Sequence, residues 1–183
     1  LNIKDISEPF ESLFTQGMVC HNTFQNKSGE WVYPEDVLHE NNNLTQISTG
    51  EKVIEGQMES MSKSKKNIVD PESIINTYGA DPARWFMLSD SPPEKDINWS
   101  ESGINGAWKI CQKIWSIVES NKVFINPDSN YENTEWSDNA LELNRFTHQN
   151  LNEITKSIEK FQMNVAIAKV YEMVNAISRF KPV

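Results

Sequence analysis

Glu59-Ser60-Met61-Ser62-Lys63-Ser64-Lys65-Lys66-Asn67 divides the chain in two. The stretch is polar, has neither a helical nor a strand period, and holds three lysines in four positions, so it reads as an exposed loop. Asp70-Pro71 follows at once and opens a helix, with the aspartate as cap and the proline at the first helical position. Ile74, Ile75 and Tyr78 give that helix its apolar side, and Gly79 ends it. Asp81-Pro82 repeats the device for a second short helix through Leu88, stopped by Ser91-Pro92-Pro93.

Upstream of the loop the signals are those of strands. After a short apolar cluster of Phe10, Leu13 and Phe14, Met18 to Phe24 reads as a strand. Asn26-Lys27-Ser28-Gly29 is turn chemistry. Trp31-Val32-Tyr33 reads as the return strand, stopped by Pro34. Asn41-Asn42-Asn43 reads as a loop, and Leu44–Ile47 with Lys52–Met58 as a second hairpin around Ser48-Thr49-Gly50. A β-rich unit of this size is too small to stand alone and should pack on a larger body.

Downstream, residues 94–105 read as irregular. From Gly106 apolar residues recur every three to four positions: Ala107, Ile110/Cys111, Ile114/Trp115 and Ile117/Val118. Residues 124–137 read as a polar loop, and Ser137 or Asp138 can cap a long helix bearing Leu143, Phe146, Leu151, Ile154, Ile158 and Phe161. A last helix carries Ile167, Val170/Tyr171, Val174 and Ile177. Three amphipathic helices joined by modest loops suggest an antiparallel bundle, so the fold class is α+β: a small β-rich part, the loop with short helices, then an α-helical bundle. Trp108, Trp115 and Tyr171, at helical spacing, are expected in the core, as are Trp85, Phe86 and Leu88. Asp81 and Arg84 are read as a cap and a first-turn residue that can pair with a neighbour.

Composition bounds the function. The 183 residues carry 17 basic and 26 acidic side chains, a net charge of −9. That balance argues against a nucleic-acid partner. However, residues 1–60 hold 3 basic against 10 acidic side chains, whereas residues 61–122 hold 8 of each, so a polyanion can approach the remainder. No apolar run approaches the ~18 residues of a membrane span, and no secretory leader is recognisable. The two cysteines, Cys20 and Cys111, read as reduced core residues of a cytoplasmic protein, and the scattered His21, His39 and His148 do not suggest a zinc site. The chain opens at Leu1 rather than Met, which leads us to expect a piece of something longer.

The chemistry concentrates in Met61-Ser62-Lys63-Ser64. A lysine between small hydroxyl residues on a loop suits a triphosphate: the ammonium is a compact cation, the hydroxyls donate, and loop amides can add an anion nest. Donors of this kind meet the charge that develops on a leaving pyrophosphate. The Gly-x-x-x-x-Gly-Lys pattern of a Walker loop is missing, and lysine- and serine-rich loops are also common as plain solvated surface. Lys65 and Lys66 read first as such surface, with phosphate or RNA contacts as the alternative. Lys109, Lys113 and Lys122 lie along one helix and could meet phosphates, although a solvated face is the ordinary reading.

Ser60-Met61-Ser62-Lys63-Ser64 resembles the Lys-Met-Ser-Lys-Ser signature of class I aminoacyl-tRNA synthetases. Lys65-Lys66-Asn67-Ile68-Val69-Asp70-Pro71 and Tyr78-Gly79-Ala80-Asp81-Pro82-Ala83-Arg84 fit that family in order and spacing. The run Ser91-Pro92-Pro93-Glu94-Lys95-Asp96-Ile97-Asn98-Trp99-Ser100-Glu101-Ser102-Gly103 is similar to the leucyl members rather than the valyl or isoleucyl ones. Phe14-Thr15-Gln16-Gly17-Met18-Val19 and Phe161-Gln162-Met163-Asn164-Val165-Ala166-Ile167-Ala168 point the same way. The family's first signature lysine is Ser60 here, whereas the second is retained as Lys63. The upstream His-Ile-Gly-His signature is not in this sequence.

The resemblance implies ATP- and Mg2+-dependent activation of leucine to leucyl-adenylate and transfer to tRNA(Leu), by a cytoplasmic, monomeric enzyme without a membrane partner. It implies that residues 60–64 form the ATP-binding loop, with Lys63 as its catalytic residue, and that Lys65, Lys66, Lys109 and Lys113 are candidate phosphate or tRNA contacts. It divides the chain into residues 1–59, the end of a Rossmann-like catalytic domain with a β-rich leucine-specific insertion at about 18–58; residues 60–100, the signature loop and stem-contact segment; and residues 101–183, a tRNA-binding bundle of the anticodon-binding type. Half a nucleotide site positions neither phosphates nor nucleophile, so the chain alone is expected to be inactive. A stand-alone helical RNA-binding or scaffold module without catalysis is the alternative.

Overall fold

The computed structural model describes residues 8–40, 43–124 and 135–180. Among these described residues the architecture is mixed α/β, with short strands and five α-helices. β1 (Val19–Gln25) is the centre of a three-stranded sheet. On one side it pairs antiparallel with β4 (Ile54–Ser60), from Cys20 opposite Ser60 to Gln25 opposite Ile54. On the other it pairs in parallel with the two-residue β5 (Ile97–Asn98). β2 (Val37–Glu40) and β3 (Asn43–Gln46) form a separate antiparallel ladder.

The hairpins expected from sequence are cut short. Trp31 makes only an isolated bridge to Gln25, and Val32 donates to the Phe24 carbonyl at 2.9 Å. Pro34 then starts a 3-10 turn, Pro34–Asp36, so the return strand never develops. Asn43 belongs to β3, whereas Asn41 and Asn42 lie outside the described residues. Around Ser48-Thr49-Gly50 the expected hairpin closes but stays short: Thr45 bridges Lys52, the Gln46 amide donates to the Glu51 carbonyl and the Val53 amide to the Leu44 carbonyl at 2.8 Å each, and the chain beyond it runs on to β1. The unit closes over Phe24, Val32, Val37 and Val53, with Leu44 against them. Phe10 and Leu13 do not cluster; they are exposed, and Phe14 instead stacks on Phe161 at 5.2 Å between centroids.

β5 fastens this unit to the helices. The Ile97 amide donates to Met18 and the Trp99 amide to Cys20, each at 2.8 Å. Gly17 is required beneath this strap, because a Cβ there would lie 2.0 Å from the Lys95 carbonyl oxygen. Ile97 then enters a second core with Phe86, Ile104 and Ala107, where the Phe86 and Trp99 rings meet edge to face at 5.2 Å. Residues 94–105 are therefore not irregular: β5 lies within them, and α3 (Glu101–Asn121) starts at Glu101, capped by the Ser100 hydroxyl on the Gly103 amide at 2.9 Å.

α1 (Pro71–Tyr78) has the expected cap, with the Asp70 carboxylate accepting from the Glu72 and Ser73 amides at 3.2 Å each. α2 (Ala80–Ser89) does not repeat the device. Gly79, at φ +93, turns the chain straight from one helix into the next, which places Asp81 inside the first turn, where it pairs with Arg84 at 3.0 Å. Pro82 is tolerated there because first-turn amides have no intrahelical partner. α4 (Asp138–Glu159) is capped by Ser137, and α5 (Met163–Arg179) returns from it through a turn with Phe161 at φ +57.

α5 packs on α4 and on α2, and α2 packs on α3. Trp85 seals α2 to α5, with its Nε1 donating to the Tyr171 hydroxyl at 3.2 Å. Burial along α3 is confined to Ile104, Ala107 and Ile110. Trp115, 71% exposed, and Trp108, 37% exposed, are therefore not the core residues their spacing suggested; Leu88 is exposed as well. Helical period reports which residues share a face, not whether anything covers it. Cys20 is buried and Cys111 half-buried, both as free thiols; burial, helped by Asp81, pushes the Cys111 pKa up. The expected polar loop at 124–137 falls largely outside the described residues. No helix among the described residues is long and apolar enough to cross a membrane.

Candidate functional site

The loop is shorter and better held than its composition suggests. Glu59 and Ser60 belong to β4, with Ser60 opposite Cys20. The next residue is still tied to the sheet, since the Met61 amide donates to the Val19 carbonyl at 3.0 Å. The Met61 side chain is half-buried and lines an apolar cavity of about 300 Å³ with Val19, Val69, Ile74 and Trp99.

Asn67 closes the other end. It is fully buried, which an exposed polar loop does not anticipate. Its Nδ2 donates to the carbonyls of His21, Glu59 and Ser60 at 3.1–3.3 Å, and its Oδ1 accepts from the Ser62 amide at 2.9 Å. One amide side chain thus joins β1, the end of β4 and the loop. Its burial is affordable only because donors and acceptor are both used.

Between these anchors Ser62 organises the turn. Its hydroxyl accepts from the Lys65 amide and lies 3.3 Å from the Ser64 hydroxyl. The Lys66 amide donates to the Lys63 carbonyl at 3.3 Å, with Lys66 itself at φ +55. The amides of Lys63 and Ser64 have no acceptor among the described residues. Lys63 is exposed, and its ammonium has no carboxylate or hydrogen-bond partner among the described residues. A free cation, two free amides and two hydroxyls therefore share one turn, which is a donor set for an anion. The amides at the start of α1 do not join it, because Asp70 occupies them.

The neighbouring lysines are committed. Lys65 forms an ion pair with Glu59 and lies 5.9 Å from the Trp31 ring centroid. Lys66 lies 5.3 Å from the Tyr33 ring centroid. Both are half-buried, so the solvated-surface reading is corrected for the pair. Lys113 donates to Asn175 Oδ1 at 2.8 Å and so ties α3 to α5, while Lys122 pairs with Glu119 and Lys109 is exposed. The three lysines do not form one continuous solvated face. Asn67, Trp31 and Tyr33 are the residues that sequence reasoning missed as parts of the site. Asn67 had a signal only in its place within the signature run; the rings had none, because their lysine partners are more than 30 positions away.

A family described as class I tRNA synthetases (I, L, M and V) matches residues 37–100, a span that contains the whole loop. The chain belongs to the class I aminoacyl-tRNA synthetases. Within that class its relatives are leucine–tRNA ligases, of which it matches a segment. It is 47% identical over 181 residues to the leucine–tRNA ligase of Parvibaculum lavamentivorans, covering 97% of this chain and 21% of the relative. It is 43% identical over 182 residues to that of Maricaulis maris, again covering 21% of the relative and here 100% of this chain. The chain thus spans about a fifth of the length of these relatives. The fold is similar to that of the LeuRS of Agrobacterium radiobacter K84 agnB2, solved as a ternary complex with tRNA and LeuAMS. The TM-score is 0.63 at 22% identity, covering 93% of this chain and 18% of that one. It is also similar to Mycobacterium tuberculosis methionyl-tRNA synthetase in complex with methionyl-adenylate, with a TM-score of 0.52 at 11% identity, covering 86% of this chain and 59% of that one.

Proposed function

We propose that the polypeptide of which this segment is part activates leucine with ATP and transfers it to tRNA(Leu). A leucine carboxylate oxygen attacks the α-phosphorus, the bond to the bridging oxygen breaks, and leucyl-adenylate and pyrophosphate result. Lys63 is the residue of this segment that meets the departing pyrophosphate. The observation that carries the reading is its unpartnered ammonium on a turn pinned at Met61 and Asn67. A preorganised donor costs no reorganisation as charge develops, so a rigid base under an exposed lysine is what this chemistry asks for. The Ser62 and Ser64 hydroxyls and the Lys63 and Ser64 amides add donors. Ser60 and Met61 carry the loop's attachment to the sheet rather than its charge.

Residues 18–58 are read as the leucine-specific insertion on the tail of a Rossmann-like domain, residues 60–100 as the loop and stem-contact segment, and residues 101–183 as a tRNA-binding bundle, in a monomeric cytoplasmic enzyme. On that bundle Lys109 is the better candidate for a phosphodiester, since Lys113 is already engaged. No cluster of three His, Cys, Asp or Glu side chains among the described residues could hold a metal ion. No step assigned to this segment runs through Mg2+. A stand-alone module is disfavoured, because the similarity to ligases covers the loop and nearly all of the chain.

The test is leucine-dependent ATP–pyrophosphate exchange by the parent polypeptide. Exchange supported by leucine and not by valine, isoleucine or methionine is expected. Exchange with none of them, or with another amino acid in preference, would overturn the assignment.

A further inference from the structure

We infer that Trp31 and Tyr33 are positioning residues for the phosphate loop: their rings dock Lys65 and Lys66 and so set where Lys63 stands. The inference rests on the proposed role of the loop. Trp31, Val32 and Tyr33 are successive residues of extended chain, and Val32 is buried in the β-rich core, 3% exposed. Alternate residues of an extended chain face the same way, so both rings lie opposite Val32. Across from them stand the two lysines, with ammonium-to-centroid distances of 5.9 and 5.3 Å, within the range of cation–π attraction. The rings themselves are held, Trp31 by its bridge to Gln25 and both by the anchored valine between them.

The loop needs such a hold. Lys66 adopts φ +55, a left-handed conformation unfavourable for a residue with a side chain, and its turn bond to Lys63 is long at 3.3 Å. A third contact, Lys65 with Glu59, ties the same segment to β4. Lys63 is left as the one lysine of the three without a partner among the described residues. The β-rich unit thus reaches the nucleotide chemistry by fixing the residues that follow Lys63.

The experiment uses the full-length ligase carrying this segment, in three forms: wild type, Trp31→Leu with Tyr33→Leu, and Trp31→Phe with Tyr33→Phe. Exposed cation–π contacts are worth about two- to fivefold each. The leucine pair should therefore slow single-turnover adenylate formation by about tenfold, with the KM for leucine within about twofold. It should also speed tryptic cleavage after Lys65 and Lys66 to a similar degree. The phenylalanine pair, which keeps the π faces, should restore most of both. Tyr33→Leu alone, at a surface ring, should show about a threefold change in each readout and serves if the Trp31 change unfolds the sheet. Wild-type behaviour of the leucine variants, or a phenylalanine pair as impaired as the leucine pair, overturns the inference. If Lys63→Ala leaves adenylation unchanged, the loop's proposed role fails, while the tryptic readout still decides whether the rings dock the lysines.

Discussion

Asn67 offers the sharpest test of how the loop is built. The Asn67→Ala change deletes two N–H donors shared among three carbonyls and one acceptor for the Ser62 amide. At about 1 kcal/mol per buried hydrogen bond, three bonds' worth is on the order of 3 kcal/mol. Water admitted at half-buried Ser62 offsets part of this, leaving roughly 2–3 kcal/mol against opening of the loop. That corresponds to about 30- to 150-fold faster exchange of the Ser62 amide, read by hydrogen–deuterium exchange in the full-length protein. Asn67→Asp sharpens the logic. The carboxylate can still accept from Ser62, but it faces the oxygens of His21, Glu59 and Ser60, so at neutral pH it should cost more than alanine. The excess should fall as the pH is lowered, because the protonated acid donates again. Ser62 exchange within twofold of wild type in Asn67→Ala, or an aspartate variant no worse than alanine, would refute the anchoring argument.

Gly103→Ala tests a sign. Alanine gains up to about 1 kcal/mol in helix propensity, but its Cβ would lie 2.4 Å from Phe86 Cε2 and 2.8 Å from Ser100 Oγ. Phe86 is 3% exposed and wedged against Trp99, so overpacking at about 1–3 kcal/mol should win, and the variant should melt at a lower temperature. Asp36 gives a pH test. Its carboxylate accepts from Gln46 Nε2 at 2.7 Å, Ser48 Oγ at 2.7 Å and the Ser48 amide at 2.9 Å, and these bonds, Gln46's first, hold its pKa below the ordinary carboxylate value. A depressed folded pKa means the stabilisation is complete above the ordinary value, about 4, and disappears as pH falls through the folded one. Exchange of the Ser48 amide should accelerate over that acid window in the wild type, with Asp36→Asn lacking the transition.

Local chemistry was legible wherever it was self-contained. Asp70-Pro71 and Ser137 cap helices as their types dictate, because a cap needs only its own next three residues. Asp81-Pro82 looked identical to Asp70-Pro71, yet Gly79 had already started the helix, so the decisive residue lay upstream of the motif. Strand existence was readable near Val19 and Ile54, but not that these two strands pair with each other, since partner choice depends on distant residues. Lys63 stood out by its neighbours. Asn67, inside the same polar run, did not, because its burial comes from three carbonyls on the sheet that no local pattern announces. Trp115 failed in the opposite direction: its spacing was right, but α3 is covered only along its first half.

The most direct measurement of the central claim is the single-turnover rate of leucyl-adenylate formation by the full-length protein with Lys63→Ala. Loss of one preorganised donor to the leaving pyrophosphate predicts a fall of about 10²–10³ in that rate, with the KM for leucine little changed. A rate within twofold of wild type would contradict the assignment of Lys63.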